Sequence, residues 1–310
     1  MGNDYDCDVA IIGAGCAGLT AGLYTARAML KTIILEKLQP GGQLATTHEV
    51  ENYPGFPEVA TGPEIMEAFT KQAKRFGCEF RTGSVGAIDA SDPVARVVGT
   101  DGGEVRCKAV IVASGADPRT LGVPGEDRLR GRGVSYCATC DAPFFRDKDV
   151  AVVGGGNTAV DEGLYLTKFA RRVTIIHRRD ELRAEKIYQD RAFKNEKIDV
   201  CWDSVCVECV GGEMLQRIVI KNVKTDERSD MEVGGCFILI GTKPNTEFLQ
   251  GLCELDDTGF VKVNERKETS VPGIFAAGDC EDGLFRQAIT AAGFGCSAAL
   301  TAKHYIDSLA

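Results

Sequence analysis

The sequence predicts an α/β chain of two three-layer units with parallel sheets, the second unit inserted into the first. Three features predict it. A short apolar run, Asp8 to Ile12, meets Gly13-Ala14-Gly15-Cys16-Ala17-Gly18, and Leu19 to Ala28 then has helical composition. The same order of strand, glycine turn and helix returns at Val150 to Val153 and Gly154-Gly155-Gly156-Asn157-Thr158-Ala159. Near the C-terminus a strand, Gly273 to Ala277, runs into Gly278-Asp279 and an alanine-rich helix over roughly Arg286 to Ser308, parts that would complete the first unit.

In the first unit, glycine lets the backbone turn tightly and approach a pyrophosphate, which then faces the free N–H groups of a helix N-terminus. The next strand, Thr32 to Leu35, ends in Glu36, whose carboxylate can accept the hydrogen bonds of an unphosphorylated ribose. Both units therefore read as Rossmann-like dinucleotide-binding domains. Lys108 to Val112 adds another strand to the first. Asp279, at the C-terminal edge of its strand, faces the crevice where such sheets take ligands, with a turn or helix cap as its plainer role.

In the second unit the strand Val173 to Ile176 ends at His177, which lies 23 residues after Gly154, as Glu36 lies 23 residues after Gly13. Here the ribose position carries His177-Arg178-Arg179, with Arg183 one helical turn beyond. Cations there imply a 2'-phosphate, so this unit should prefer NADPH while the first should hold FAD or NAD. Breaks at Pro118, Pro124 and Pro244 divide the chain into 1–117, 118–244 and 245–310, with the NADPH domain inserted into a discontinuous FAD domain.

The chain has 310 residues, 44% of them hydrophobic, enough apolar surface for two cores. Its net charge is -9, from 36 basic and 45 acidic residues, which disfavours nucleic acid as a partner. The acidic N-terminus has neither the basic nor the apolar stretch of a secretory signal, and no run is apolar enough for a membrane span, so the cytoplasm is expected. Thirteen cysteines in a reducing compartment are mostly buried thiols, and a disulfide that does form there is catalytic.

Cys137-Ala138-Thr139-Cys140-Asp141 carries the chemistry. Two thiols at this spacing can close a small disulfide ring, and burial of Asp141 could hold a proton for thiol exchange. Zinc would need a second pair, and Cys206-Val207-Glu208-Cys209 is the obvious one. That stretch reads as a strand, however, in which residues three apart face opposite sides, so Cys206 and Cys209 are expected to be separate buried thiols and no metal is expected.

Taken together, Gly13 to Gly18, Gly41-Gly42-Gln43-Leu44, Glu51-Asn52-Tyr53-Pro54-Gly55, Cys137 to Asp141, Gly154 to Ala159, His177-Arg178-Arg179 and Gly278-Asp279 with Arg286-Gln287-Ala288 resemble the low-molecular-weight thioredoxin reductases over nearly the whole chain. The resemblance implies that NADPH reduces FAD, FAD reduces the Cys137–Cys140 disulfide, and Cys137 attacks oxidised thioredoxin, with Asp141 as the acid. It assigns FAD to Gly13, Gly15, Gly18, Glu36, Gly42, Gln43, Asn52, Asp279, Arg286, Gln287 and Ala288. NADPH falls to Gly154, Gly156, Ala159, His177, Arg178, Arg179 and Arg183. It also implies a homodimer and a rotation of the NADPH domain. Cys16 stands where proline is common and Cys280 where a hydrophobic residue is frequent. The nearest alternatives are a related flavin-dependent dithiol oxidase and a reductase of another thiol carrier.

Overall fold

A computed structural model describes residues 5–47, 50–58 and 60–309. The opening residues Met1 to Asp4, part of the acidic N-terminus read above, lie outside that range. The chain forms two compact units, one of Met1–Asp117 with Lys243–Ala310 and one of Pro118–Thr242. It passes between them through two short paired strands, Ala116–Pro118 and Thr242–Pro244.

In the first unit five strands lie parallel in the order Ile274–Ala276, Ala109–Val112, Val9–Ile12, Thr32–Glu36 and Glu79–Thr82. The C-terminal strand thus pairs with Ala109–Val112, more than 160 residues earlier in the chain. Side chains alternate across the strands. Val9 and Ile11 face the helices Cys16–Arg27 and Ala288–Asp307, whereas Ala10 and Ile12 face an antiparallel meander of Val85–Asp89, Arg96–Thr100 and Gly103–Cys107. Burial on both faces explains why Val9–Ile12 and Ala109–Val112 read as continuous apolar runs.

The second unit repeats the plan with Ile198–Cys201, Arg172–Ile176, Asp149–Val153, Gly235–Ile238 and Val134–Ser135, all parallel. Val150 and Val152 face the helix layer, with Val160 and Leu166 of the helix Asn157–Leu166. Ala151 and Val153 face a meander of Ser204–Gly211, Leu215–Asn222 and Arg228–Glu232.

One expectation fails in that meander. Cys206 and Cys209 do not face opposite sides of their strand: Cys206 pairs with Ile220 and Glu208 with Val219, so Val207 is the extra residue of a β-bulge. The slip turns both thiols into the core, at 4% and 1% exposure. A bulge depends on the partner strand, and a one-strand pattern does not reveal it.

Candidate active site

The first glycine turn lies between the strand Val9–Ile12 and the helix Cys16–Arg27. A methyl placed on Gly18 would stand 1.8 Å from the Gly13 carbonyl oxygen, so glycine is what lets the helix come down onto the turn. Gly15 caps the helix with no side-chain hydrogen bond and no acidic residue in the first turn, which leaves the terminal N–H groups to a ligand anion. Gly42 approaches closely enough that its own methyl would meet the Gly15 Cα at 3.1 Å. Gln43, next to it, donates from its side-chain amide to Asp117 at 2.5 Å. Asn52 is exposed on the loop that follows.

Glu36 terminates its strand beside the turn. Its Oε2 accepts the Ala14 N–H at 2.9 Å and its Oε1 the Leu38 N–H at 3.2 Å, so the carboxylate is held at the turn by main chain on both sides. Asp279 follows the strand Ile274–Ala276, and burial, reinforced by the Asp282 charge, pushes its carboxyl up to about 6. Asp279 is not the cap of this loop. That role falls to Asp282, which accepts the N–H groups of Leu284, Phe285 and Arg286 at 2.9, 2.9 and 3.1 Å. Gln287 caps the helix Ala288–Asp307 through a reciprocal pair of bonds with Thr290. Cys16 and Cys280 are both packed: the Cys16 thiol meets the Met66 sulfur at 3.6 Å, and Cys280 donates to the Val112 carbonyl at 3.4 Å.

The second turn differs at the same positions. A methyl on Gly155 would lie 2.3 Å from Nδ1 of His177, so the imidazole packs directly on the loop. His177 is only 4% exposed, and burial, followed by the charges of Arg183, Arg179 and Arg178, holds its pKa below the usual value. It is neutral at pH 7. The positive charge beside this turn belongs to Arg178, Arg179 and Arg183, all exposed and, among the described residues, paired with no carboxylate. The Arg183 N–H donates to the Gly155 carbonyl at 2.7 Å, which draws the basic segment against the turn. Gly156 caps the helix Asn157–Leu166 without a side-chain bond, and Ala159 is fully buried behind it.

The same unit carries the cysteine pair. Cys137 and Cys140 form a disulfide with Cα atoms 5.4 Å apart, and Cys137 caps the single helical turn Ala138–Asp141, its sulfur accepting the Cys140 N–H at 3.2 Å. Burial raises the Asp141 carboxyl above its ordinary pKa, while a 2.6 Å hydrogen bond from the Ser135 hydroxyl opposes the rise. Ser135 Oγ also accepts the Cys137 N–H at 3.1 Å, so one hydroxyl ties the acid to the disulfide. Glu162, from the helix behind, accepts the Ala138 N–H at 2.6 Å. Neither Ser135 nor Glu162 was apparent from sequence. Ser135 lies two residues before the motif, on its strand, but Glu162 reaches it only through tertiary packing.

One unit carries a glycine turn with a carboxylate at the end of the following strand, and the other carries a second such turn with arginines at the matching place together with a disulfide and its own buried acid, the equipment of a dinucleotide-dependent disulfide oxidoreductase. The family model for pyridine nucleotide-disulphide oxidoreductases matches residues 7–295. The thioredoxin reductase of Streptomyces coelicolor is 50% identical over 97% of this chain and 94% of its own length, and that of Peptoclostridium litorale is 47% identical over 100% and 99%. The crystal structure of thioredoxin reductase from Streptococcus pyogenes superposes with a TM-score of 0.94 at 45% identity, covering 97% of this chain and 98% of that one. The chain belongs to the thioredoxin reductases of this family, whose chemistry requires a flavin and a nicotinamide.

Proposed function

We propose that this enzyme moves electrons from NADPH through FAD to the Cys137–Cys140 disulfide and from there to thioredoxin. In this reading the unit of residues 1–117 and 243–310 holds FAD through Gly13, Gly15, Gly18, Glu36, Gly42, Gln43, Asn52, Asp279, Arg286, Gln287 and Ala288. The unit of residues 118–242 holds NADPH through Gly154, Gly156, Ala159, Arg178, Arg179 and Arg183, with His177 shaping the turn. The observation that carries the reading is the disulfide itself, formed within the unit that presents exposed arginines, unpaired among the described residues, where a ribose would lie.

When bound, the flavin and nicotinamide together supply the electron pair that opens the disulfide. The chain's own residues do the rest. Once Cys137 is released as a thiolate, the Cys140 N–H at its sulfur favours the ionised form. It attacks one sulfur of the thioredoxin disulfide, forming a mixed disulfide and releasing a thiolate. Asp141, whose carboxyl burial pushes above its ordinary pKa, supplies the proton that this leaving sulfur takes up. Cys140 then attacks the Cys137 sulfur, which restores the internal disulfide and frees reduced thioredoxin. Ser135 positions the carboxyl throughout.

We extend the reading to a homodimer in the cytoplasm. Eleven cysteines remain free beside the one disulfide, in keeping with a reducing compartment, and among the described residues no helix is long and apolar enough to cross a membrane. The test is anaerobic reduction of thioredoxin with NADPH as donor. Turnover that vanishes in Cys140→Ser supports the whole route, whereas flavin reduction without thioredoxin reduction would point to another thiol carrier or to oxygen.

A further inference from the structure

The bulge in Ser204–Gly211 has a second result, independent of the electron route. Cys206 and Cys209 meet Cys236, from the parallel strand Gly235–Ile238, with all three sulfurs within 4.8 Å of one another and exposures of 4%, 1% and 0%. We propose that these three thiols form a trigonal site for a trivalent metalloid oxyacid, arsenous acid or its antimony counterpart.

The main chain fixes each thiol. The Cys209 N–H donates to the Pro124 carbonyl at 2.9 Å, the Cys236 N–H donates to the Gly133 carbonyl at 2.7 Å, and the Cys206 sulfur lies 3.6 Å from the Glu208 carbonyl. Thiolate bonds to one central atom of about 2.3 Å, the length seen with zinc, set three sulfurs roughly 3.5–4 Å apart, so the cluster needs only a small contraction. Packing alone calls for small apolar side chains here and gives no reason for the sulfurs to converge across two sheets.

Charge selects the ligand. The cluster lies in an apolar layer with Leu129, Val134, Ile218 and Val233, and Glu126, itself 2% exposed, contributes negative charge nearby. That carboxylate is already engaged by the N–H groups of Leu121, Gly122 and Val123 and by the Tyr136 hydroxyl. A divalent cation on three thiolates would leave a net charge in this layer, and among the described residues no histidine, carboxylate or fourth cysteine completes a tetrahedron. A trivalent centre on three thiolates is neutral. In the reaction three As–O and three S–H bonds break, three As–S bonds form, and the hydroxyls leave with the thiol protons as three waters. A thiol already ionised takes its missing proton from solvent, and no oxidation state changes. With the sulfurs this buried, uptake is slow and follows local opening of the meander.

The experiment uses the full-length, flavin-bound enzyme without added reductant, so that Cys137 and Cys140 stay joined and cannot bind. Incubation with sodium arsenite and dialysis should leave one arsenic per chain, with three sulfurs and no oxygen around it by X-ray absorption. Retained arsenic should fall roughly tenfold or more in Cys236→Val and in Cys206→Ser. The absorption measurement on the unaltered enzyme stands even where a variant misfolds. No retained arsenic after prolonged incubation, two sulfurs with an oxygen, or binding that survives both variants would each overturn the proposal.

Discussion

The two glycine turns share one backbone plan and differ in what their second residue meets. Ala14 gives its N–H to the Glu36 carboxylate, whereas Gly155 lies flat against the His177 ring and gives its carbonyl to Arg183. In the first turn a charge is held inside by main-chain donors. In the second a neutral ring fills the inside and the charges stand in solvent on Arg178, Arg179 and Arg183. One topology therefore presents opposite charges at the matching place, and it does so by choosing what is packed behind the turn.

The largest expected effect comes from exchanging the last residue of the two turns. Gly18→Ala would set a methyl against the Gly13 carbonyl and cost about 3 kcal/mol or more, because backbone has to move. Ala159→Gly, the reverse exchange, should cost only about 1 kcal/mol, mainly through helix propensity. Denaturant unfolding of both variants measures the asymmetry, and equal costs would mean that the two turns pack alike.

Asp279 sharpens the contrast, since the first unit also buries a carboxyl whose ionisation folding opposes. Its pKa rises from 3.8 to about 6, which corresponds to about 3 kcal/mol, reduced by partial exposure to roughly 2. Below pH 3.8 the carboxyl is protonated in folded and unfolded chains alike. Between 3.8 and 6 the unfolded chain loses its proton first, so the penalty builds and is complete above 6. In flavin-stripped protein Asp279→Asn should therefore raise stability at pH 7.5 and leave it unchanged near pH 3.5. A gain of equal size at both values would remove ionisation as the cause.

A smaller effect is expected beside the disulfide. Ser135→Ala removes the hydrogen bond that holds the Asp141 carboxyl down, so its pKa rises further. A bond worth about 1 kcal/mol shifts the alkaline limb of the pH–turnover profile upward by about 0.7 unit. An unmoved limb would take Asp141 out of the proton transfer.

Much of this arrangement is legible in the sequence because it is local. Apolar runs such as Val9–Ile12 and Val150–Val153, the glycine spacing, and the matched positions of Glu36 and His177 all lie within about 25 residues of chain, as does the short ring of Cys137 and Cys140. What escapes is set by partners far away. The bulge at Val207 is imposed by pairing with Leu215–Asn222, the burial of His177 by Gly155, and the approach of Glu162 to Ala138 by the packing of a helix. That Asp282 rather than Asp279 caps its loop turns on which carboxyl points back at the loop's own N–H groups. An Asp-Gly pair at 282 and 283 was the available turn signal.

The central claim is that exposed arginines in the second unit, and not the histidine beside them, select the phosphorylated dinucleotide. The direct measurement is kcat/KM for NADPH and for NADH in the native enzyme and in Arg178→Ala/Arg179→Ala, with flavin content determined in each preparation. Loss of two charge-assisted contacts should lower the NADPH value about a hundredfold or more while NADH and flavin content stay within a small factor. Equal losses for both dinucleotides would contradict the assignment.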